Sequence, residues 1–154
     1  MPGPIIKQPL QKKVQLDSVP SDLDPDRTMF VVVRQATQRE VEEREELFAT
    51  TTQKFTAGTS AFEVEQRYSY AEQKRKETYL TLADCNIVIE DDSEKSGARP
   101  LFTFAKRKDG KMAVAMSEDE FELAWGLLPA VIADAIHDAV LQINPQWDPK
   151  KAKS

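Results

Sequence analysis

Residues 117–144 decide the fold, and they read SEDEFELAWGLLPAVIADAIHDAVLQIN. Ser117 and Glu120 form a capping box, in which each side chain accepts a hydrogen bond from an otherwise unpaired backbone amide. Acidic residues in this first turn also suit the helix dipole. Gly126 and Pro129 then interrupt the apolar pattern, because proline fits the first turn of a helix but not its interior. The segment therefore predicts two helices with a short break.

Apolar residues cover much of both helices. One face of the first helix carries Phe121, Ala124, Trp125 and Leu128. Leu123 and Leu127 form a second stripe, so we expect this helix to be buried from two sides. Half of the second helix, which Asn144 and Pro145 should end, carries Val131, Ile132, Ala135, Ile136, Ala139, Val140 and Ile143. The pair is predicted to form the domain core, with Trp147 folded back onto it.

The opposite half of the second helix is polar. It carries Asp134, His137, Asp138 and Gln142, and we expect these side chains to face solvent. Leu141 lies among them. It is either a contact for a partner or covered by Trp147. The outward apolar surface of the two-helix unit is thus predicted to be small.

A buried strand and a charged helix are predicted near the N-terminal end of the domain. Residues 29–33 are apolar on both faces, which is typical of a buried strand. Thr37 and Glu40 form a second capping box, and a helix should follow from 38 to 49 or as far as 55. Its apolar stripe is thin, comprising Val41, Phe48, Thr52 and Phe55. Such a helix is mostly solvated or binds a partner.

The middle of the chain gives mixed signals. Residues 57–60 are predicted to be a loop, and residues 62–68 alternate between apolar and charged side chains, as in a half-buried strand. A helix over 71–83 and a short strand at 86–89 should follow. Residues 90–99 are a charged loop.

Two apolar runs, 101–104 and 112–116, flank an Asp109-Gly110 pair. This pattern predicts a hairpin with a two-residue type I′ turn, in which Arg107 faces Met112. The hairpin tip is cationic through Lys106, Arg107, Lys108 and Lys111. It could bind an anionic partner, or it could be a solvated loop. Lys108 and Lys111 would face each other, which hints at an anionic neighbour.

Residues 1–27 contain five prolines and few large apolar side chains. Since proline fixes φ and lacks an amide proton, this stretch predicts an extended arm, with a disordered tail as the alternative. A single α+β domain over 28–147 and a basic tail over 148–154 complete the predicted organisation. The arm's start has no charged region followed by a long apolar run, so no signal peptide is expected.

Composition argues against most catalytic and nucleic-acid functions. The 154 residues carry a net charge of −5 with a pI near 5.0, which disfavours nucleic acid as a partner. With one cysteine and one histidine, nucleophilic catalysis would have to pair Cys85 with His137, and a zinc site would need carboxylates for nearly all its ligands. Five scattered glycines do not form a phosphate loop. We expect no enzyme, cofactor, metal or membrane span.

Three stretches together carry a family resemblance. They are FVVVRQAT at 30–37, FELAWGLLP at 121–129 and INPQW at 143–147. This arrangement resembles small morphogenesis proteins of tailed bacteriophages, either tail assembly chaperones or tail and neck virion proteins. The resemblance implies a non-enzymatic protein that binds other phage tail or neck proteins or copies of itself. It also implies an oligomer or larger assembly, in the host cytoplasm and, for a virion component, in the particle.

A bacterial cytoplasmic adaptor, or a nucleic-acid-associated regulator acting through the hairpin tip, is the alternative. In either case, the predicted partner contacts lie on four separate parts of the chain: the arm, the charged helix, the hairpin tip and the second C-terminal helix. The predicted contact residues are Ile5, Ile6, Leu10, Val41, Phe48, Lys106, Arg107, Lys108, Lys111 and Leu141.

Overall fold

A computed structural model describes residues 3–5, 10–53 and 59–149, without the side chains of 48–69. Within these ranges the chain forms four α-helices and three small antiparallel sheets, which confirms the predicted α+β class. The helices are α1 (Gln38–Gln53), α2 (Thr59–Thr81), α3 (Glu118–Gly126) and α4 (Ala130–Ile143). The strands are β1 (Gln11–Gln15), β2 (Phe30–Arg34), β3 (Leu82–Cys85), β4 (Val88–Glu90), β5 (Ala98–Pro100), β6 (Phe104–Lys106) and β7 (Met112–Val114).

The core lies between the three-stranded sheet, of order β1-β2-β3, and α4. β2 is its centre, as its β-branched sequence predicts, and Val31 and Val33 are fully buried there. Asn144 ends α4 as predicted and fixes it to the end of β2. Its side-chain oxygen accepts from the amide of Ala36 at 2.8 Å, and its side-chain nitrogen donates to the carbonyl of Arg34 at 3.2 Å.

The capping box at Thr37 and Glu40, the N-cap at Ser117 and the break between the C-terminal helices are confirmed. Ser117 Oγ accepts from the amide of Glu120, and Thr37 Oγ1 accepts from the amide of Glu40. Pro129 is the N-cap of α4. Trp147 is buried in a short 3-10 helix, Pro145–Trp147, that packs against α4 as expected. These features are local, which is why the sequence reveals them.

The N-terminal segment is extended, but it is part of the domain from residue 10 onward. β1 pairs antiparallel with β2, from Gln11 opposite Arg34 to Gln15 opposite Phe30. Leu16 and Val19 are buried in the core. The domain therefore begins well before the predicted boundary at residue 28, because these two side chains and the backbone of β1 find partners that proline content does not reveal.

The strand predicted at 62–68 is wrong, since this stretch lies inside α2. The predicted loop at 57–60 falls partly outside the described residues, and residues 59–60 already belong to α2. The helix predicted over 71–83 is the C-terminal part of α2. The alternation at 62–68 favours a strand, with its period of two residues. The good helix formers that follow it extend the helix cooperatively, and this outweighs the short alternating stretch. The second half of the strand predicted at 86–89 is part of β4, and β3 before it was not predicted. The end of the predicted charged loop forms β5.

The predicted hairpin forms, with a different turn. The Arg107 amide donates to the Lys111 carbonyl at 2.8 Å, and the Gly110 amide donates to the Arg107 carbonyl at 2.9 Å. Met112 therefore faces Lys106 and not Arg107. Gly110 has φ of +86°, whereas Asp109 does not have positive φ. These backbone bonds and the positive φ of Gly110 define a three-residue loop, a type I turn followed by a glycine bulge. The Asp109 carboxylate supports the loop by accepting a hydrogen bond from the Lys111 amide.

Candidate partner-binding surface

The outer face of α3 exposes leucines that the sequence predicts to be buried. Leu123 is 74% exposed and Leu127, just beyond the helix end, is 59% exposed. The other face is covered, since Phe121 stacks on Phe102 with ring centroids 5.1 Å apart. The expectation of burial from two sides is therefore wrong. A helical pattern identifies apolar stripes, but only the tertiary structure decides how many of them meet another element.

Leu127 belongs to an apolar groove at the corner between α3 and α4. We call it the corner groove; its cavity is about 310 Å³. Buried residues form part of its wall, among them Ile87, Leu101 and Ile132, and exposed apolar side chains also line it. The latter are Leu23, Val88 and Leu127. Exposed apolar residues gathered around a concave surface are typical of a binding site for another molecule.

One wall of the corner groove is an acidic loop. Leu23 and Asp24 line the groove, and Asp22 and Asp26 flank them as exposed residues. The Asp24 carboxylate is used internally, because it accepts hydrogen bonds from the amides of Thr28 and Met29. This loop contains the sequence Asp24-Pro25-Asp26, in which residues 25 and 26 form a turn. Among the residues that the structure describes, the only charged side chain in the groove lining, Asp24, is therefore already engaged within the chain.

The cationic hairpin tip is partly neutralised within the same chain. Lys106, Arg107 and Lys108 are exposed, and Lys111 is half-buried. Arg107 Nη2 lies 3.5 Å from Glu40 Oε2, and Arg107 Nε lies 3.9 Å from Asp109 Oδ1. Arg107 therefore has anionic neighbours within its own chain, in α1 and in the turn itself.

Helix α1, whose thin apolar stripe predicts a mostly solvated or partner-binding helix, buries two charged side chains, Glu40 and Arg44. Arg34 makes two hydrogen bonds with the Glu40 carboxylate, at 2.7 and 2.9 Å, and both side chains are buried. Burial opposes ionisation of Glu40, but the Arg34 hydrogen bonds, the Thr37 amide and the nearby cations prevail, so its pKa is lowered. Val41 packs half-buried against the core, and the Phe48 side chain lies outside the described residues.

His137 is buried, contrary to the expectation that it faces solvent. Its Nε2 lies 2.7 Å from Oε1 of Glu77, which is itself fully buried. The other carboxylate oxygen of Glu77 accepts from Arg44 Nε at 2.5 Å. This ionic cluster of Arg44, Glu77 and His137 joins α1, α2 and α4. These contacts hold the three helices together, and none of the three side chains lines the corner groove.

The predicted contact residues that the structure describes lie on more than one part of the surface. Ile5 and Leu10 are exposed at the N-terminal end of β1, where the Leu10 amide donates to Gln35, and Ile6 lies outside the described residues. Leu141 is half-buried and lines a separate cavity with Val14 and Leu16. Trp147 is buried in the core, so it adds nothing to the outward surface.

Sequence reasoning missed the apolar residues of the corner groove. Three features of the sequence could have pointed to them: Leu23 stands between aspartates at 22–26, Leu127 lies at the break between the C-terminal helices, and Val88 lies in a weakly predicted strand. Each is unremarkable alone, because single exposed apolar residues are common in proteins. Their meaning comes from a shared location that the topology creates.

Cys85 is half-buried, and burial raises the pKa of its thiol to about 11. His137, the other residue that a Cys–His pair would need, contacts the buried Glu77 carboxylate through its ring nitrogen Nε2. Within residues 3–5, 10–53 and 59–149, we find no group of three side chains suited to hold a metal ion. No helix in the described part of the chain is long and apolar enough to cross a membrane.

Comparison of the chain with protein-family models, with curated proteins and with solved structures gives no match.

Proposed function

We propose that this chain is a non-enzymatic assembly protein that acts through protein–protein contacts at the corner groove. The observation that carries the proposal is the gathering of Leu23, Val88 and Leu127 around one concave apolar surface. Full burial of an aliphatic side chain contributes about 1.5–3 kcal/mol. Three half-exposed side chains that gain burial together can therefore contribute a few kcal/mol to binding, which is the scale at which a small contact becomes specific.

The partners we propose are tail or neck proteins of a tailed bacteriophage, or copies of the chain itself. This part of the proposal rests on the resemblance at 30–37, 121–129 and 143–147. Two versions differ physically. A tail assembly chaperone binds its partners transiently in the host cytoplasm and is absent from the finished particle. A virion component remains in the particle, held by contacts between subunits.

Co-expression with the products of the neighbouring genes tests the proposal. We expect the wild-type chain to co-purify with a tail or neck protein or in a multimer containing one. Leu127→Asp should reduce recovery of that complex about tenfold, which corresponds to the loss of roughly 1.4 kcal/mol. Leu123→Asp is the matched control, because Leu123 is more exposed, lies one helical turn away and is not part of the groove.

Equal recovery for Leu127→Asp and Leu123→Asp would rule out the groove as the contact. Neighbouring genes without tail or neck proteins, and no co-purifying product, would refute the phage assignment. Mass spectrometry of purified particles then separates the two versions, since a chaperone is absent from the particle and a virion component is present.

A further inference from the structure

Strand β1 has an open edge. In the sheet of order β1-β2-β3, β1 pairs with β2 on one side, and no strand within the described ranges pairs with its other side. The Leu16 amide donates to the Met29 carbonyl at 3.0 Å, so the even-numbered positions of β1 form the hydrogen bonds with β2. The amides and carbonyls of Gln11, Lys13 and Gln15 therefore point away from β2. Such groups are a template for pairing with another strand.

A groove lies between this edge strand and α4, and its cavity is about 390 Å³. We call it the edge groove; it is the cavity that Leu141 lines. Val14 and Leu16 form its apolar wall on the strand side, and Ala135 and Ala139 form the wall on α4. A free strand edge beside a groove is the arrangement by which a protein binds an extended segment as an additional strand, with alternate side chains entering the groove.

The charged residues that line the edge groove in the described part of the chain are all acidic. They are Asp17, Asp138 and Asp148. Asp17 and Asp138 are exposed, and neither carboxylate has an ion pair or a hydrogen bond within the described ranges. A segment that binds here is therefore favoured if it carries a cationic side chain on the face that enters the groove.

The β1 strand itself meets this requirement. Val14 lines the edge groove, and Lys12, two residues earlier, lies on the same face of the strand. Leu10 continues that face, because its carbonyl accepts from the Gln35 amide at 2.8 Å in the same hydrogen-bonding pattern. Lys12 is exposed, and Leu10 is 56% exposed. One strand thus combines an acidic groove with a cationic and an apolar side chain that the groove of a second copy can receive.

From these features we propose that two copies of this chain associate through antiparallel pairing of their β1 strands. A two-fold axis through Lys13 places Gln11 of each copy opposite Gln15 of the other. The edge-facing positions then match, and each such pair exchanges both of its backbone hydrogen bonds. Lys13 meets its own equivalent at the axis. Its ammonium, however, lies over the Phe30 ring of β2, 4.2 Å from the centroid, and this orientation away from the open edge reduces the repulsion.

This register places a cation at each acidic groove. Lys12 enters the edge groove of the second copy, which Asp17 and Asp138 line, and Leu10 lies opposite Leu16 and loses much of its exposure. The two-fold axis repeats both contacts, so each copy gives a lysine and receives one. The edge groove and the corner groove have no described lining residue in common, and the association does not depend on the phage assignment.

Sedimentation velocity of the full chain over a range of concentrations tests the proposal. We expect the wild-type protein to self-associate. Lys12→Glu and Asp138→Lys should each weaken association at least about tenfold, because each brings like charges together at both grooves. Lys95→Glu is the matched control, since Lys95 is also exposed but lies between β4 and β5, and this variant should associate like the wild type. Unchanged circular dichroism and urea midpoints would establish that the variants fold.

Mixing Lys12→Glu with Asp138→Lys gives the sharper result. In the mixed dimer one contact has both charges reversed and the other is the wild-type contact, so opposite charges meet at both grooves. The mixture should therefore form a one-to-one heterodimer under conditions in which neither variant associates alone. A mixture that stays monomeric overturns the proposal.

Lys13→Pro tests the strand pairing itself. It removes an amide proton at the open edge and leaves the hydrogen bonds between β1 and β2 in place, which is the position at which an edge strand tolerates proline. We expect this variant to fold and to lose association. Association at the wild-type level would show that the contact does not extend the sheet, and it would overturn the proposal.

Two further outcomes would also overturn it. One is a wild-type chain that stays monomeric at about 300 μM, a concentration at which even a dissociation constant of about 1 mM would leave a clear dimer fraction. The other is loss of association in a variant that combines Lys150→Glu with Lys151→Glu while Lys12→Glu associates normally. That result would assign the edge groove to the basic C-terminal tail.

Discussion

Glu77 joins three helices through the two oxygens of one carboxylate. Arg44 of α1 donates to Oε2, and His137 of α4 lies against Oε1, while Glu77 itself is on α2 and fully buried. Gln73 also donates to Oε2, at 3.2 Å. Replacing Glu77 by glutamine keeps the size and shape of the side chain but removes the negative charge, so the Arg44 guanidinium loses its buried counter-ion.

The expected cost follows from the burial of this pair. Breaking a buried ion pair by removal of one partner costs about 3–5 kcal/mol. Arg44 also contacts Glu45 at 3.3 Å, but that carboxylate is largely exposed. An exposed ion pair such as Arg44–Glu45 can offset at most about 1 kcal/mol of this loss. We therefore expect Glu77→Gln to lower the free energy of unfolding by about 2–5 kcal/mol. For a chain of this length, this corresponds to a fall in Tm of about 4–20 °C.

Urea denaturation followed by circular dichroism measures the effect. Asp134→Asn is the matched control. Asp134 pairs with Lys74 between α4 and α2, the helices that His137 and Glu77 also join, but Asp134 is exposed. Its replacement should therefore cost less than about 1 kcal/mol. The double variant Glu77→Gln with Arg44→Met should be more stable than the sum of the single losses predicts, since it also removes the buried cation whose counter-ion Glu77→Gln neutralises. A loss for Glu77→Gln no larger than for Asp134→Asn would refute the reasoning.

Three further predictions concern other residues. Because the pKa of Glu40 is lowered below its ordinary 4.5, its stabilising contribution is complete above that pH and is lost as the pH falls through the lowered value. The difference in unfolding free energy between wild type and Glu40→Gln should thus shrink below about pH 4.5, the ordinary carboxyl range, and a difference that stays constant down to pH 2.5 would contradict this. Gly110→Ala should cost about 1 kcal/mol because of its positive φ, whereas Gly126→Ala at the end of α3 should stabilise by up to about 1 kcal/mol, with urea midpoints as the measurement. Since burial raises the pKa of the Cys85 thiol to about 11, a disulfide reagent at pH 8 should label the folded protein much more slowly than the urea-unfolded protein, and equal rates would disprove the protection.

Local signals predict much of this fold. The capping box at Thr37, the N-cap at Ser117, the helix stop at Asn144 and the buried strand after residue 28 all depend on residues close in sequence. Hydrogen bonds within one turn, and the period of apolar residues, suffice to define them. The hairpin was also predictable, but its turn type was not, since an Asp-Gly pair is compatible with more than one loop length.

Burial was less predictable than secondary structure. The pattern of α3 marks Leu123 and Leu127 as apolar, and that of α4 marks His137 as polar, yet the structure exposes the leucines and buries the histidine. The reason is the same in both cases. A residue's environment depends on which element lies opposite, and the sequence of one helix contains no information about that neighbour.

The sequence by itself determined the class of this protein, the position of its helix ends and the two apolar faces that build the core, because these follow from short-range chemistry. Only the tertiary structure decided that the buried Glu77 carboxylate joins α2 to Arg44 of α1 and His137 of α4, and that Leu23, Val88 and Leu127 meet at one groove. The residues that line this groove are far apart in sequence, from Leu23 to Ile132, and no local sequence pattern predicts that they meet. The candidate site is therefore a product of topology, whereas the scaffold beneath it is largely a product of pattern.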